Sequence, residues 1–126
     1  MCIFCKIVAK EIPADVVFET INVIAFNDIT PQAPTHVLVI PKWHHENAAE
    51  LAALAPGTLA ELFTVADQIA KERELDGYRL TFNTGESAGQ TVFHAHLHLL
   101  GGRPFGWPPG YSEISTSISI IWITPH

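Results

Sequence analysis

Apolar residues recur along this chain with two different periods. Over 15–28, "DVVFET" and "NVIAFND" are short runs of β-branched and aromatic residues parted by a turn, the pattern of two strands. "HVLVIP" (36–41) is a third apolar run, closed by Pro41, and "ITPQAPT" (29–35), with two prolines, is the loop before it. From 46 to 76 the composition becomes helical. Leu59, Leu62, Phe63, Ala66, Ile69 and Ala70 return at three- and four-residue steps on one face, while Asp67, Lys71 and Glu72 fall largely on the other. Pro56-Gly57 divides this stretch into a short and a long helix, and Gly77 is the expected stop. "YRLTFN" (78–83) and "TVFHAHLHLL" (91–100) read as strands joined by the loop "TGESAGQ". Five short strands and a long helix with few long crossovers predict an α+β fold with a mainly antiparallel sheet.

At 126 residues the chain has the length of one domain, and 48 % hydrophobic against 16 % charged residues predicts a packed core. A formal net charge of -6 argues against a nucleic-acid polymer as partner, but a single phosphate needs only a few donors. No apolar run approaches the ~18 residues of a membrane span. Residues 1–15 carry Lys6, Lys10, Glu11 and Asp15 and lack the apolar stretch of a secretory signal, so a cytoplasmic protein is expected. In that reducing setting Cys2-x-x-Cys5 reads as a metal half-site or a redox pair.

Alternate side chains on a strand share a face, so His94, His96, His98 and Leu100 are expected on one side, with Phe93, Ala95, Leu97 and Leu99 packed into the core. A column of imidazoles is costly to bury without partners and belongs in a cleft. Two chemistries suit it. Three imidazoles could hold a catalytic zinc, or one could be a nucleophile tuned by its neighbours. Spacing alone does not choose between them.

The flanks narrow the choice. "HAHLHLLGG", "WPPG" (107–110), "NDITPQAPTHVLVIPK" (27–42), "NTGESAGQTVFH" (83–94) and "CIFCKI" (2–7) together resemble the histidine triad family, in its Hint-like nucleoside phosphoramidase branch. The resemblance spans about residues 2–110 and implies a histidine triad domain over 1–110: a five-stranded sheet with one long and one short helix, paired as a homodimer. It implies that His96 attacks phosphorus and expels an amine, leaving a nucleotidyl-histidine that water cleaves. By the same resemblance His36 fixes the ring of His96, His98 stabilises the phosphate, and Thr91, often serine in the family, delivers a proton to the amine. Gly89, Gln90, Thr91 and Asn83 are implied phosphate contacts, with backbone N–H groups in the Gly89 turn. Asp28 is the implied ribose acid, and Ile12, Phe26, Asn27 and Ile29 fall on the base side, with Asn27 where the branch often has histidine. Trp107 corresponds to a residue that reaches the partner subunit's site. The implied partner is a purine nucleoside phosphoramidate or an AMP-like nucleotide.

Cys2 and Cys5 need two more ligands for tetrahedral zinc, and the resemblance supplies His44 and His94 for a structural ion that the chemistry does not use. Two other activities compete: a dinucleoside polyphosphate hydrolase of a sister branch, and a nucleotide-binding module with vestigial catalysis. The tail 111–126 alternates isoleucine with serine, a pattern able to add a strand at a sheet edge, and no function is assigned to it.

Overall fold

The computed structural model describes residues 2–110, so the tail 111–126 lies outside the described residues. The elements run α1 (Ile3–Val8), β1 (Val16–Glu19), β2 (Val23–Asn27), β3 (Thr35–Pro41), α2 (Ala48–Leu54), α3 (Pro56–Glu72), β4 (Tyr78–Thr81), a short 3-10 turn (Glu86–Ala88) and β5 (Leu97–Gly101). The five strands form one sheet in the order β1-β2-β3-β5-β4, every neighbouring pair antiparallel. The expected α+β architecture is present.

The central strand β3 is buried along its whole length, which explains why its sequence is apolar without alternation. On one face α3 presses Leu62, Val65, Ala66 and Ile69 against Val23, Ala25, Val37, Val39, Leu97 and Leu99. Leu62 and Ile69 are nearly inaccessible, and truncating either to alanine is worth ~2–5 kcal/mol of stability. On the other face α1 lays Phe4 and Ile7 over Ile24, Phe26, Leu38 and Ile40.

Three local expectations are corrected. Helix α1 was not legible as a helix: its six residues start after Cys2, whose sulfur caps the Cys5 N–H. The long helix ends at Glu72, well before Gly77. Glu74 takes the left-handed conformation there (φ 55°), and Leu75 N–H reaches back to Ala70 O, so a Schellman closure forms without glycine. The last strand starts at Leu97, so His94 and His96 lie in irregular backbone before it. Phe93 consequently stands 41 % exposed instead of joining the core.

The glycine pair at the end of β5 has a steric basis. A Cβ on Gly101 would come 2.5 Å from Leu75 Cδ1, and Gly102 has φ 90°.

Candidate active site

Cross-strand register brings the polar side chains together on the α1 face of the sheet. Phe26 pairs with Leu38, Leu38 with His98, and His98 with Thr81; the next rung runs His36, Leu100, Arg79. Asp28 follows β2 and bonds through its N–H to His36 O. His36, Asp28, His96 and His98 therefore gather at one place, with the His96 and His98 ring centroids 4.9 Å apart and those of His36 and His98 5.2 Å apart.

Backbone groups assign the proton on each ring. His96 Nδ1 lies 2.8 Å from the carbonyl of His94, so it carries the hydrogen and donates it, leaving a lone pair on Nε2. His36 is set the other way: Gln32 N–H donates to its Nδ1 at 3.0 Å, so its proton is on Nε2. That Nε2–H faces His98 Nδ1 at 2.9 Å and Asp28 Oδ2 at 3.4 Å. With Nδ1 as acceptor, His98 carries its proton on Nε2, a buried atom with no partner among the described residues. Two adjacent imidazoles thus present opposite faces to the same space, one a lone pair and the other a donor.

Burial keeps these rings neutral. It holds His96 and His36 below the usual imidazole range, and it lowers His98 to about 4 with help from its two histidine neighbours. A neutral imidazole is the nucleophilic form. The arrangement suits attack on an electrophile at His96 Nε2 while His98 Nε2–H supports the charge that develops.

The structure corrects the role expected of His36. It pairs with His98, and the group holding the His96 ring is the His94 carbonyl, because β3 lies beside His98 while His96 precedes the strand. Gln90 is corrected as well. Its amide is 2 % exposed and fully engaged, accepting from Gly85 N–H and donating to the carbonyls of Glu46 and Val92, so it braces the loop. The N–H groups of Gly89 and Gln90 are also taken, by Glu86 O and Gly85 O, so neither of these two is available to a phosphate. Thr91 is exposed and has no hydrogen-bond partner among the described residues. Asn83 stands beside Gly89, its Nδ2 3.8 Å from where a glycine Cβ would sit.

Of the residues expected on the base side, Phe26 is buried and Ile12 packs against the same cluster, while Ile29 projects 95 % into solvent and forms no wall. Asn27 is placed off the site. Strand alternation turns it to the α3 face, where Asp15 and Arg73 hold both ends of its amide. Asp28 uses Oδ1 to accept from Thr30 N–H and Oγ1, which fixes the carboxylate at the rim. Phe4, absent from the sequence expectations, stacks edge-on against both Phe26 (5.6 Å) and His96 (5.1 Å). Its only sequence signal is the i, i+3 pair with Ile7. Trp107 is 52 % exposed.

A second cluster lies behind the first. Cys2, Cys5, His44 and His94 bring their ligand atoms within 4.8 Å of one another. The sulfur–sulfur and sulfur–nitrogen separations run from 3.1 to 3.7 Å. Zinc bonds of ~2.0–2.3 Å at tetrahedral angles ask for edges of roughly 3.3–3.8 Å. His94 Nε2 lies 2.8 Å from Pro41 O, so it donates and Nδ1 offers its lone pair to the thiols. Burial lowers His94 to about 4 and raises Cys5. The donor set fits a zinc ion.

A HIT domain family model matches residues 9–105 of the chain. The chain is 47 % identical over 106 residues to the purine nucleoside phosphoramidase of Escherichia coli K12, covering 82 % of this chain and 89 % of that protein. It is 50 % identical over 111 residues to a 14 kDa zinc-binding protein of Zea mays, covering 86 % and 87 %. Its fold overlays a HIT family hydrolase from Legionella pneumophila with TM-score 0.83 and 50 % identity, over 87 % of this chain and all of that one.

Proposed function

The chain belongs to the HIT domain family and is a nucleotide hydrolase, and from that premise we propose that it cleaves the P–N bond of purine nucleoside 5'-phosphoramidates or aminoacyl adenylates. His96 Nε2 attacks phosphorus and the bond to the leaving group breaks. The leaving amine takes a proton from the Thr91 hydroxyl, which is exposed and is reprotonated by solvent water. Water then attacks the phosphorus of the nucleotidyl-histidine, the P–Nε2 bond breaks, and a nucleoside monophosphate leaves with the imidazole restored. Splitting one displacement into two lowers each barrier. The carrying observation is the opposed protonation of His96 and His98, which pairs an available lone pair with a buried donor for the phosphate oxygens. Asp28 receives the ribose hydroxyls through Oδ2, and Phe26 with Ile12 holds the base.

A structural zinc on Cys2, Cys5, His44 and His94 is part of this reading. It supplies no chemistry and ties α1 to the segment before β5. Reduced thiols suit a cytoplasmic location. The edge strand β4 offers the unpaired backbone through which two copies can pair as a homodimer, bringing Trp107 toward the neighbouring site.

The test is turnover of adenosine 5'-phosphoramidate against diadenosine polyphosphates by wild type and His96→Ala. Phosphoramidate is expected to be cleaved faster, and the variant should bind AMP but lose turnover. Faster cleavage of the polyphosphate, or activity retained by the variant, overturns the proposal.

A further inference from the structure

Cys2 and Cys5 are the only cysteines of the chain. Their sulfurs stand 3.1 Å apart, nearer than the roughly 3.8 Å edge that two zinc–sulfur bonds of ~2.3 Å subtend at a tetrahedral ion. A disulfide asks for ~2.05 Å, so about 1 Å of sulfur movement joins the pair. That movement is local. Cys2 caps α1 and Cys5 is the third residue of the same helix, so both side chains leave a single turn of chain.

Both cysteines are half-buried and the neighbouring His44 is exposed, so a small oxidant reaches the sulfurs from the His44 side. Cys5 N–H donates to Cys2 Sγ at 3.2 Å, which favours a thiolate on Cys2 and makes it the attacking sulfur, with Cys5 to resolve.

A change at this pair is felt by the nucleophile through two contacts. His94 turns Nδ1 to both sulfurs, at 3.4 and 3.5 Å, while its carbonyl holds His96 Nδ1. Phe4, between the cysteines in the chain, packs edge-on against the rings of His94 at 6.0 Å and His96 at 5.1 Å. A disulfide offers no thiolate to a metal, and His44 with His94 makes only half of a tetrahedral set.

We propose that Cys2 and Cys5 are a reversible oxidation site: a peroxide joins them as a disulfide, the zinc ion leaves, and the support that His94 and Phe4 give to His96 slackens. The Cys2 thiolate attacks a peroxide oxygen, the O–O bond breaks, and hydroxide leaves as water after taking a proton from solvent. The Cys5 thiolate then attacks the sulfur of the Cys2 sulfenic acid, the S–O bond breaks, and a second protonated hydroxide departs as the S–S bond forms. The peroxide gains the two electrons that the sulfurs lose, and a dithiol returns them. The proposal rests on the structural-zinc reading for the ion it expels but not for the disulfide.

Zinc-loaded wild-type protein is titrated with hydrogen peroxide. Ion release to a chromogenic chelator, intact mass with peptide mapping, and turnover of adenosine 5'-phosphoramidate are followed together. One ion should be freed per chain as two hydrogens are lost at Cys2 and Cys5. Over the same range kcat should fall about tenfold, equivalent to ~1.4 kcal/mol, and a dithiol with added zinc should restore it. Disulfides between copies in place of the internal one overturn the site. So does oxidation that runs on to sulfinic acid, or an internal disulfide that leaves kcat unchanged. Metal content before oxidation is read separately: protein that purifies without zinc yet forms the internal disulfide reversibly sustains the oxidation site and removes the zinc reading. If neither form turns the substrate over, the P–N hydrolase reading falls and the site is judged on the disulfide and the released ion.

Discussion

Gln90 offers a sharp test of how the loop before the triad is held. The substitution Gln90→Glu preserves shape and exchanges one NH2 for one carboxylate oxygen. The bond from Gly85 N–H at 2.8 Å survives it, whereas the donors to Glu46 O (2.7 Å) and Val92 O (3.1 Å) are lost. Two lost bonds account for ~2 kcal/mol. A carboxylate then faces two carbonyl oxygens in a position only 2 % exposed, which adds a further ~1–3 kcal/mol of desolvation and repulsion. The expected cost at pH 7 is therefore ~3–5 kcal/mol. Gln90→Ala loses all three bonds but opens space for water to reach them, so it should cost less, ~2–3 kcal/mol. Urea unfolding of the three proteins at pH 7 and pH 5 measures both values through the midpoint and the m-value. The gap between Glu and Ala should narrow at pH 5, because burial raises the carboxyl and protonation returns one donor. A Glu variant within 1 kcal/mol of wild type at pH 7 would refute the assignment of those two donors.

Other consequences follow from the same geometry. Replacing His36 by Phe removes the donor that places the His98 proton on Nε2, a bond worth ~1–2 kcal/mol; kcat should fall roughly 5- to 30-fold, and 15N NMR should show His98 as a mixture of tautomers. Unchanged kcat would refute the relay. Chelation, or Cys5→Ser, should lower both Tm and kcat, because the residue whose ring faces the thiols also supplies the carbonyl that holds His96. An unaffected Tm would show that no structural ion is held. In metal-free protein His94 sits at about 4, against 6.5 for a free imidazole. The unfolded chain thus takes up the proton first, and stability is full above pH 6.5 and declines as pH falls toward 4, by on the order of 3 kcal/mol for this buried ring. Burial lowers His96 too, so activity should persist below the usual imidazole range and fail only as further acidification protonates the nucleophile. Denaturant melts and kcat profiles from pH 4 to 8 check both, and stability unchanged at pH 4 would contradict the neutral, buried state of His94.

The sequence by itself determined the elements whose burial is periodic. Leu62, Ala66 and Ile69 announced α3, the unbroken apolar run of β3 announced a central strand, and the alternating Ala95, Leu97 and Leu99 fixed which way His96 and His98 face. The motifs carried the family, Cys2-x-x-Cys5 stood out by its spacing, and the resemblance added His44 and His94, which the fold gathers into one cluster. Which atom holds which ring was decided only by the tertiary structure. His36 meets His98 and not His96 because of strand register, His96 takes its proton assignment from a backbone carbonyl, and Gln90 is consumed by the carbonyl of distant Glu46 and that of Val92 two residues on. Hydrogen bonds to the main chain leave no trace in side-chain identity, so no pattern of residue types could have announced them. For the same reason α1 and the early end of α3 stayed hidden: one is capped by a sulfur and the other closes on a glutamate, where local preference yields to packing.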